Sequence, residues 1–293
     1  MRIEYHADDF GFFPKQSREI LQCYTEGVLN GVSIMPNSPY LPECMDMLHS
    51  AEIPERPVRL TVHLNISDGK PLTGRNASLI TDESGNFRTR FGKLLFSSFL
   101  KGRKDRMFLQ IKEEYRAQIR ACLPYLDRQK FRVDSHNHFH MIPAVFDVLL
   151  EVLREEGLGD CSLRVPEEKV SLYWKHRKEL KNFKKINLLK VAALNTLAFI
   201  DRRRHPDFRP VKEAEVFLGV MLSDRMSFDN VSALREDACA LAAKKGRDIE
   251  FLFHPGGVFA EEEKSQLTLE SAVPFFTGPG RLAEKDALLR LKP

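Results

Sequence analysis

The sequence predicts an α/β fold built on a mostly parallel sheet, and two observations carry that expectation. Short apolar runs alternate with longer amphipathic stretches, the pattern of strand–helix repeats. Carboxylates, imidazoles and a guanidinium also fall where the apolar runs end: Asp8 and Asp9, His63, Asp134 and His136, Arg164, and His254. In a parallel sheet or barrel all strand C-termini share one face, and ligand sites gather there.

The elements follow in order. A strand is expected near Arg2–Tyr5 and a helix near Lys15–Glu26. Strands at Val32–Met35, ended by Pro36 and Asn37, and at Val58–Leu64 come next. A helix is predicted across Asp105–Leu126, where Leu109, Ile111, Tyr115, Ile119 and Cys122 keep roughly helical spacing. Phe131–Ser135 reads as a strand, and Pro143, with its locked φ, suits the start of a helix running through Glu155. Ser162–Val165 and Glu215–Leu222 read as short strands. Ser227 or Asp229 can cap a helix reaching Lys245, with Gly246 as its stop, and Ile249–Phe253 is the last strand. Two segments fit the alternation less well: Asp68–Gly102, expected to be a long loop or lid, and the basic stretch Glu167–Glu213.

Composition narrows the class. The 293 residues are 43% apolar and 29% charged with a net charge of +4, which excludes a disordered chain. No apolar run is long enough for a membrane span, and no apolar signal region is read at the N-terminus. Five scattered cysteines without a C-x-x-C pair argue against a disulfide framework and for a reducing cytoplasm. The positive charge is local. Lys175–Lys212 holds 12 Lys+Arg against 3 Asp+Glu, a local +9, and the rest carries 33 against 38, or −5. Trp174 and Phe183 lie among these lysines, but a solvated face or an oligomer contact is the better reading than nucleic-acid binding.

The histidines give the chemistry. Three of nine fall within five positions, in Asp134-Ser135-His136-Asn137-His138-Phe139-His140. In an extended chain alternate residues share a face, so three imidazoles are expected on one side, with a carboxylate near to hold a tautomer. Alone, each of these groups reads as a turn, a cap or a packed side chain. Together, one carboxylate and two histidines make a plausible hydrolytic metal site. A metal would polarise an acyl oxygen, a second carboxylate would take a proton from water, and a histidine opposite would protonate the leaving nitrogen. Another metal-dependent amidohydrolase, a phosphoesterase, or a non-catalytic carbohydrate-binding protein are the competing readings.

The motifs carry a resemblance. His6-Ala7-Asp8-Asp9-Phe10-Gly11, Val62-His63-Leu64 followed by Gly69-Lys70-Pro71-Leu72, the Asp134–His140 run, Leu163-Arg164 and His254-Pro255-Gly256 resemble, in order, the blocks of the YdjC-like carbohydrate deacetylases, which include chitooligosaccharide deacetylase. The resemblance implies a (β/α) barrel-like fold of the glycoside hydrolase/deacetylase type, here with a basic helical insert at 167–213 in a single catalytic domain spanning 1–293. It implies one divalent metal ion, Mg²⁺ or Zn²⁺, held by Asp9, His63 and His136, with Asp8 as general base and His254 as general acid. Asp134 would orient a ligand, and Arg164, His138 and His140 would line the site. The expected partner is an N-acetylated sugar or oligosaccharide, with no nucleic acid, and the family suggests a homodimer. The chain departs from the pattern at His6, Thr61 and Asn137, and in the Glu167–Glu213 segment.

Overall fold

The computed structural model describes residues 1–102, 104–181, 184–209, 215–257 and 273–292. Seven strands pair in parallel: β1 (Ile3–Phe10), β2 (Gly31–Ile34), β3 (Arg59–Leu64), β4 (Arg132–Ser135), β5 (Ser162–Leu163), β6 (Val216–Leu218) and β7 (Ile249–Phe253). Their order is β5-β4-β3-β2-β1-β7-β6. Strands adjacent in sequence lie side by side, and β7 returns to β1. Only a β5–β6 pairing would be needed to close the ring, so the sheet is a curled half-barrel of the expected barrel-like α/β type. The basic insert lies in the chain between those two open edges.

Helices follow the strands: α1 (Pro14–Thr25), α2 (Leu41–Ser50), α3 (Phe91–Lys101), α4 (Arg106–Cys122), α5 (Pro143–Glu155), α6 (Val170–Lys175), α7 (Lys185–Arg204), α8 (Phe228–Lys245), α9 (Val273–Thr277) and α10 (Pro279–Arg290). Proline opens α1, α5 and α10, where its missing N–H leaves nothing unsatisfied. Ser227 Oγ accepts from the Asn230 N–H at the start of α8, and Gly246, at φ 61°, ends it. Of the segments outside the alternation, Asp68–Gly102 contains α3 and a short 3₁₀ turn at Gly74–Ala77 in addition to loop. The insert supplies α6 and α7, and its Phe183 and Glu213 lie outside the described residues.

The first strand is longer than Arg2–Tyr5 because its polar residues face inward. Tyr5 and Ala7 join the main apolar core, while Glu4, His6 and Asp8 alternate with them and are equally buried. Inside the half-barrel they meet cations from distant strands. Arg132 pairs with Glu4 (2.8 Å), Glu215 (2.7 Å) and Glu250, and Arg164 pairs with Glu250 (2.7 Å). Buried charge is tolerated only when paired in this way. Gly31 makes room for the network: a Cβ there would lie 2.5 Å from His6 Nδ1 and 2.7 Å from Glu4 Oε1.

Candidate metal centre

The network ends in a polar cluster at the C-terminal end of the sheet. Asp8 and Asp9 sit near the end of β1, where the pairing with β2 slips between Ala7 and Phe10. Asp9 adopts φ 69°, a left-handed conformation that costs a non-glycine residue roughly 1–3 kcal/mol. Gly11 completes the turn at φ 86°. The irregularity breaks the alternation of the strand, so both carboxylates approach one imidazole: His63 Nε2 is 3.8 Å from Asp8 Oδ2 and 3.6 Å from Asp9 Oδ1.

His63 comes from β3. Its Nδ1 lies 2.6 Å from Asp134 Oδ1, and Asp134 is itself held by Ser33 Oγ (2.7 Å) and by Arg164. Arg164 also grips Asp8, with Nη1 at 2.8 and 3.0 Å from its two oxygens. His136 follows β4. Its Nδ1 is 3.0 Å from Asp9 Oδ1 and its Nε2 is 3.2 Å from Asp68 Oδ2. His254 follows β7, with Nε2 4.0 Å from Asp8 Oδ2 and its backbone N–H donating to Glu284 at 2.5 Å.

The three-imidazole face expected from an extended 134–140 run does not form. His136–Met141 is a short 3₁₀ segment in which Asn137 and His138 take φ 54° and 57°, and the turn sends the three rings apart. His136 joins the cluster. His138 packs edge-on against Phe217 at 6.3 Å between ring centres. His140 is buried between Ser135 Oγ (2.7 Å) and the Arg164 carbonyl (2.9 Å), fastening the Arg164 backbone. Asn137 is exposed, and asparagine tolerates the left-handed turn better than most residues.

Electrostatics favour a cation here. Four carboxylates (Asp8, Asp9, Asp68, Asp134) and two guanidiniums, from Arg164 and Arg281, contact the cluster. With neutral imidazoles the carboxylates outnumber the guanidiniums, and Arg164 is shared with Glu250 besides, so a cation is favoured here. Burial alone would lower the His63 imidazole, but Asp8 and Asp134 raise it to about 10. His136 is likewise raised to about 9 against burial, chiefly by Asp9. Burial would raise the Asp8 carboxyl, yet Arg164 and His63 bring it below its ordinary value. His254 is different: burial pushes it down to about 4 despite the pull of Asp8 and Asp9.

Asp9, His63 and His136 each offer a ligand atom, and these atoms lie within 4.8 Å of one another. Asp9 Oδ1 and His63 Nε2 are buried with no hydrogen-bond partner. A lone pair on His136 Nδ1 facing a carboxylate oxygen at 3.0 Å needs a proton or a metal between them. The donor set therefore fits a divalent ion. His6, Asp8 and Asp134 also lie close together, but Arg164 contacts both carboxylates of that group and supplies their positive charge.

Asp68, Arg281 and Glu284 escaped the sequence reading. Asp68 orients His136; it is the first residue of the segment expected as a long loop or lid, and nothing in the sequence assigns it a partner. Arg281 of α10 donates to Asp9 Oδ2 (2.8 Å) and to the Gly256 carbonyl (3.1 Å), with its guanidinium stacked on Phe275 and Phe276 at 4.7 and 4.1 Å. Glu284 holds His254, and nothing local in α10 marks either residue. The cluster opens into a cavity of ≈ 1260 Å³, whose lining includes Asp8, His63, His136, His138, His254 and Phe275.

Known proteins resemble this chain in sequence and fold. A family model described as YdjC-like protein matches residues 2–290. A carbohydrate deacetylase of Mus musculus is 29% identical over 175 residues, covering 55% of this chain and 54% of that one. A carbohydrate deacetylase of Xenopus laevis is 26% identical over 281 residues, covering 90% and 83%. A chitooligosaccharide deacetylase of Yersinia enterocolitica is 27% identical over 155 residues, covering 52% and 56%. The chain spans about half the length of the mouse relative it matches. Among solved structures, a proposed cellobiose-phosphate cleavage protein of Enterococcus faecalis shares the fold, with a TM-score of 0.66 at 18% identity over 98% of this chain and 90% of that one.

Proposed function

Because the chain belongs to the YdjC-like family, we propose that it is a metal-dependent hydrolase that removes acetyl groups from N-acetylated amino sugars or short oligosaccharides. One observation carries the metal reading: Asp9 Oδ1, His63 Nε2 and His136 Nδ1 converge, buried, under an open cavity. The names of the relatives supply the substrate class. The whole chain, 1–293, acts as one catalytic unit with 167–213 inserted in it.

Asp9, His63 and His136 hold one divalent ion. Two imidazole nitrogens favour Zn²⁺, and Mg²⁺, which prefers oxygen, is the other candidate. When bound, the ion polarises the acyl oxygen and acidifies the attacking water. The protein's own groups do the rest. Asp134 holds the proton of His63 on Nδ1 and so turns Nε2 toward the ion. Arg164 keeps Asp8 ionised and aimed, ready to take the proton of the attacking water.

His254 is neutral at rest because burial depresses it. The proton it gives the leaving nitrogen is then the one Asp8 has taken, passed on from Oδ2, 4.0 Å away. The water oxygen bonds to the acyl carbon, the carbon–nitrogen bond breaks, and the nitrogen leaves carrying that proton. A two-metal phosphoesterase is the poorer reading, since Arg164 occupies the neighbouring carboxylates.

The test is acetate release from a panel of N-acetylated sugars, with and without a chelator. Release that stops with chelator and returns with Zn²⁺ or Mg²⁺ is expected. Absence of release from every sugar by protein shown to hold metal would sink the reading.

A further inference from the structure

Helix α7 is apolar on two sides. Asn187, Val191, Leu194, Leu197 and Ala198 are buried against the protein. On the outward side Ile186, Leu189, Ala192, Ala193 and Phe199 recur at helical spacing, and Ile186, Leu189 and Phe199 are 56%, 65% and 56% exposed. A helix on a soluble surface ordinarily carries polar residues there. Helix α3 repeats the pattern: Leu94 and Ser98 are buried, while Phe96, Phe99 and Leu100 are 65%, 63% and 67% exposed.

Both helices pack on α5, and both begin at the cavity rim, where Arg90 and Phe91 at the start of α3 and Ile186, Leu189 and Lys190 of α7 line the opening. Cations border the apolar residues. Lys93 and Lys101 are exposed on α3, and Lys185 and Lys190 on α7. Arg203 lies over the exposed Phe199 ring at 4.9 Å. Trp174, 69% exposed, is covered in the same way by Arg177 at 4.9 Å.

We propose that this face docks the protein on an anionic lipid bilayer, with the mouth of the cavity turned toward the headgroups. Exposed aromatic and aliphatic side chains interleaved with Lys and Arg are what an interfacial helix needs: apolar groups enter the acyl boundary while cations meet anionic headgroups. Charge selects this occupant over a second copy of the chain. A two-fold contact sets the same patch against itself. It would set the exposed Lys93, Lys185 and Lys190, with Arg203 over Phe199, against the same cations of the second copy. The inference does not depend on the deacetylation reading and can fail separately from it.

The full chain is floated with phosphatidylcholine vesicles, with and without phosphatidylglycerol. Binding is expected only to the anionic vesicles, weakening as salt rises. The double variant Phe99→Glu/Phe199→Glu changes only exposed side chains and should bind the same anionic vesicles at least about tenfold less, while keeping its thermal midpoint and its acetate release from a soluble sugar. Binding of the parent no greater to anionic than to neutral vesicles would overturn the proposal. So would equal binding by the double variant, or sedimentation showing a dimer that the double variant abolishes.

Discussion

His63 Nδ1 meets Asp134 Oδ1 at 2.6 Å, and this contact decides which nitrogen of His63 faces Asp9 Oδ1, 3.6 Å away. Asp134 is fixed in turn by Ser33 and Arg164, so the imidazole is oriented before any ion arrives. Asp134→Asn should therefore weaken metal binding by about 10–100-fold. Competition with a chromogenic chelator measures it. Unchanged affinity in a variant that folds would show that Asp134 does not orient the ligand.

The raised imidazoles set a pH dependence with a definite sign. His63 and His136 are held at about 10 and about 9, above the ordinary histidine value, by neighbouring carboxylates that outweigh burial. Their protonated forms thus stabilise the metal-free fold fully below about pH 6.5. That contribution is lost as pH rises through 9 to 10. An ion must displace both protons, so its apparent affinity should rise between about pH 6.5 and 9, by up to about tenfold per pH unit for each histidine. Chelator competition at several pH values and melts of metal-free protein test the two halves. A pH-independent affinity would rule out proton displacement.

Elements that rest on local chemistry could be read from the chain alone. Pro143 opens α5, Gly246 closes α8, and the apolar run Ile249–Phe253 is β7. The polar half of β1 could not be read this way. His6, Asp8 and Asp9 look like a loop unless Arg132, Arg164 and Arg281, more than a hundred residues away, are known to neutralise Glu4, Asp8 and Asp9. The 134–140 run failed for the opposite reason: a period of two is a property of extended backbone, and Asn137 and His138 leave it. Asp9, His63 and His136 still converged, because strand ends in a parallel sheet share one face whatever the connecting turns do.

Asp8 separates catalysis from metal binding. It is 3.8 Å from His63 but makes its closest contacts to Arg164. Asp8→Asn keeps the volume and removes the base. Metal affinity should stay within a few fold, while kcat for acetate release falls by about 10²–10⁴. Isothermal titration and steady-state kinetics on one preparation check both. Equal activity would remove Asp8 as the base, and lost metal would make it a ligand.

Arg281 tests whether the far end of the chain belongs to the site. Its two terminal nitrogens divide their contacts, one to Asp9 Oδ2 and the other to the Gly256 carbonyl, while Phe275 and Phe276 cover its face. Arg281→Met would keep the stem and leave Asp9 buried without its cation. Breaking such a pair costs about 3–5 kcal/mol, so the metal-free variant should melt well below the parent. Arg281→Lys restores the charge but cannot reach both acceptors with one ammonium, and should cost nearer to about 1 kcal/mol. Added metal should recover part of the Met variant's loss, because an ion on Asp9 Oδ1 supplies some of the missing positive charge. Denaturant titrations with and without metal measure all three, and a Met variant as stable as the parent would mean that Asp9 does not depend on Arg281.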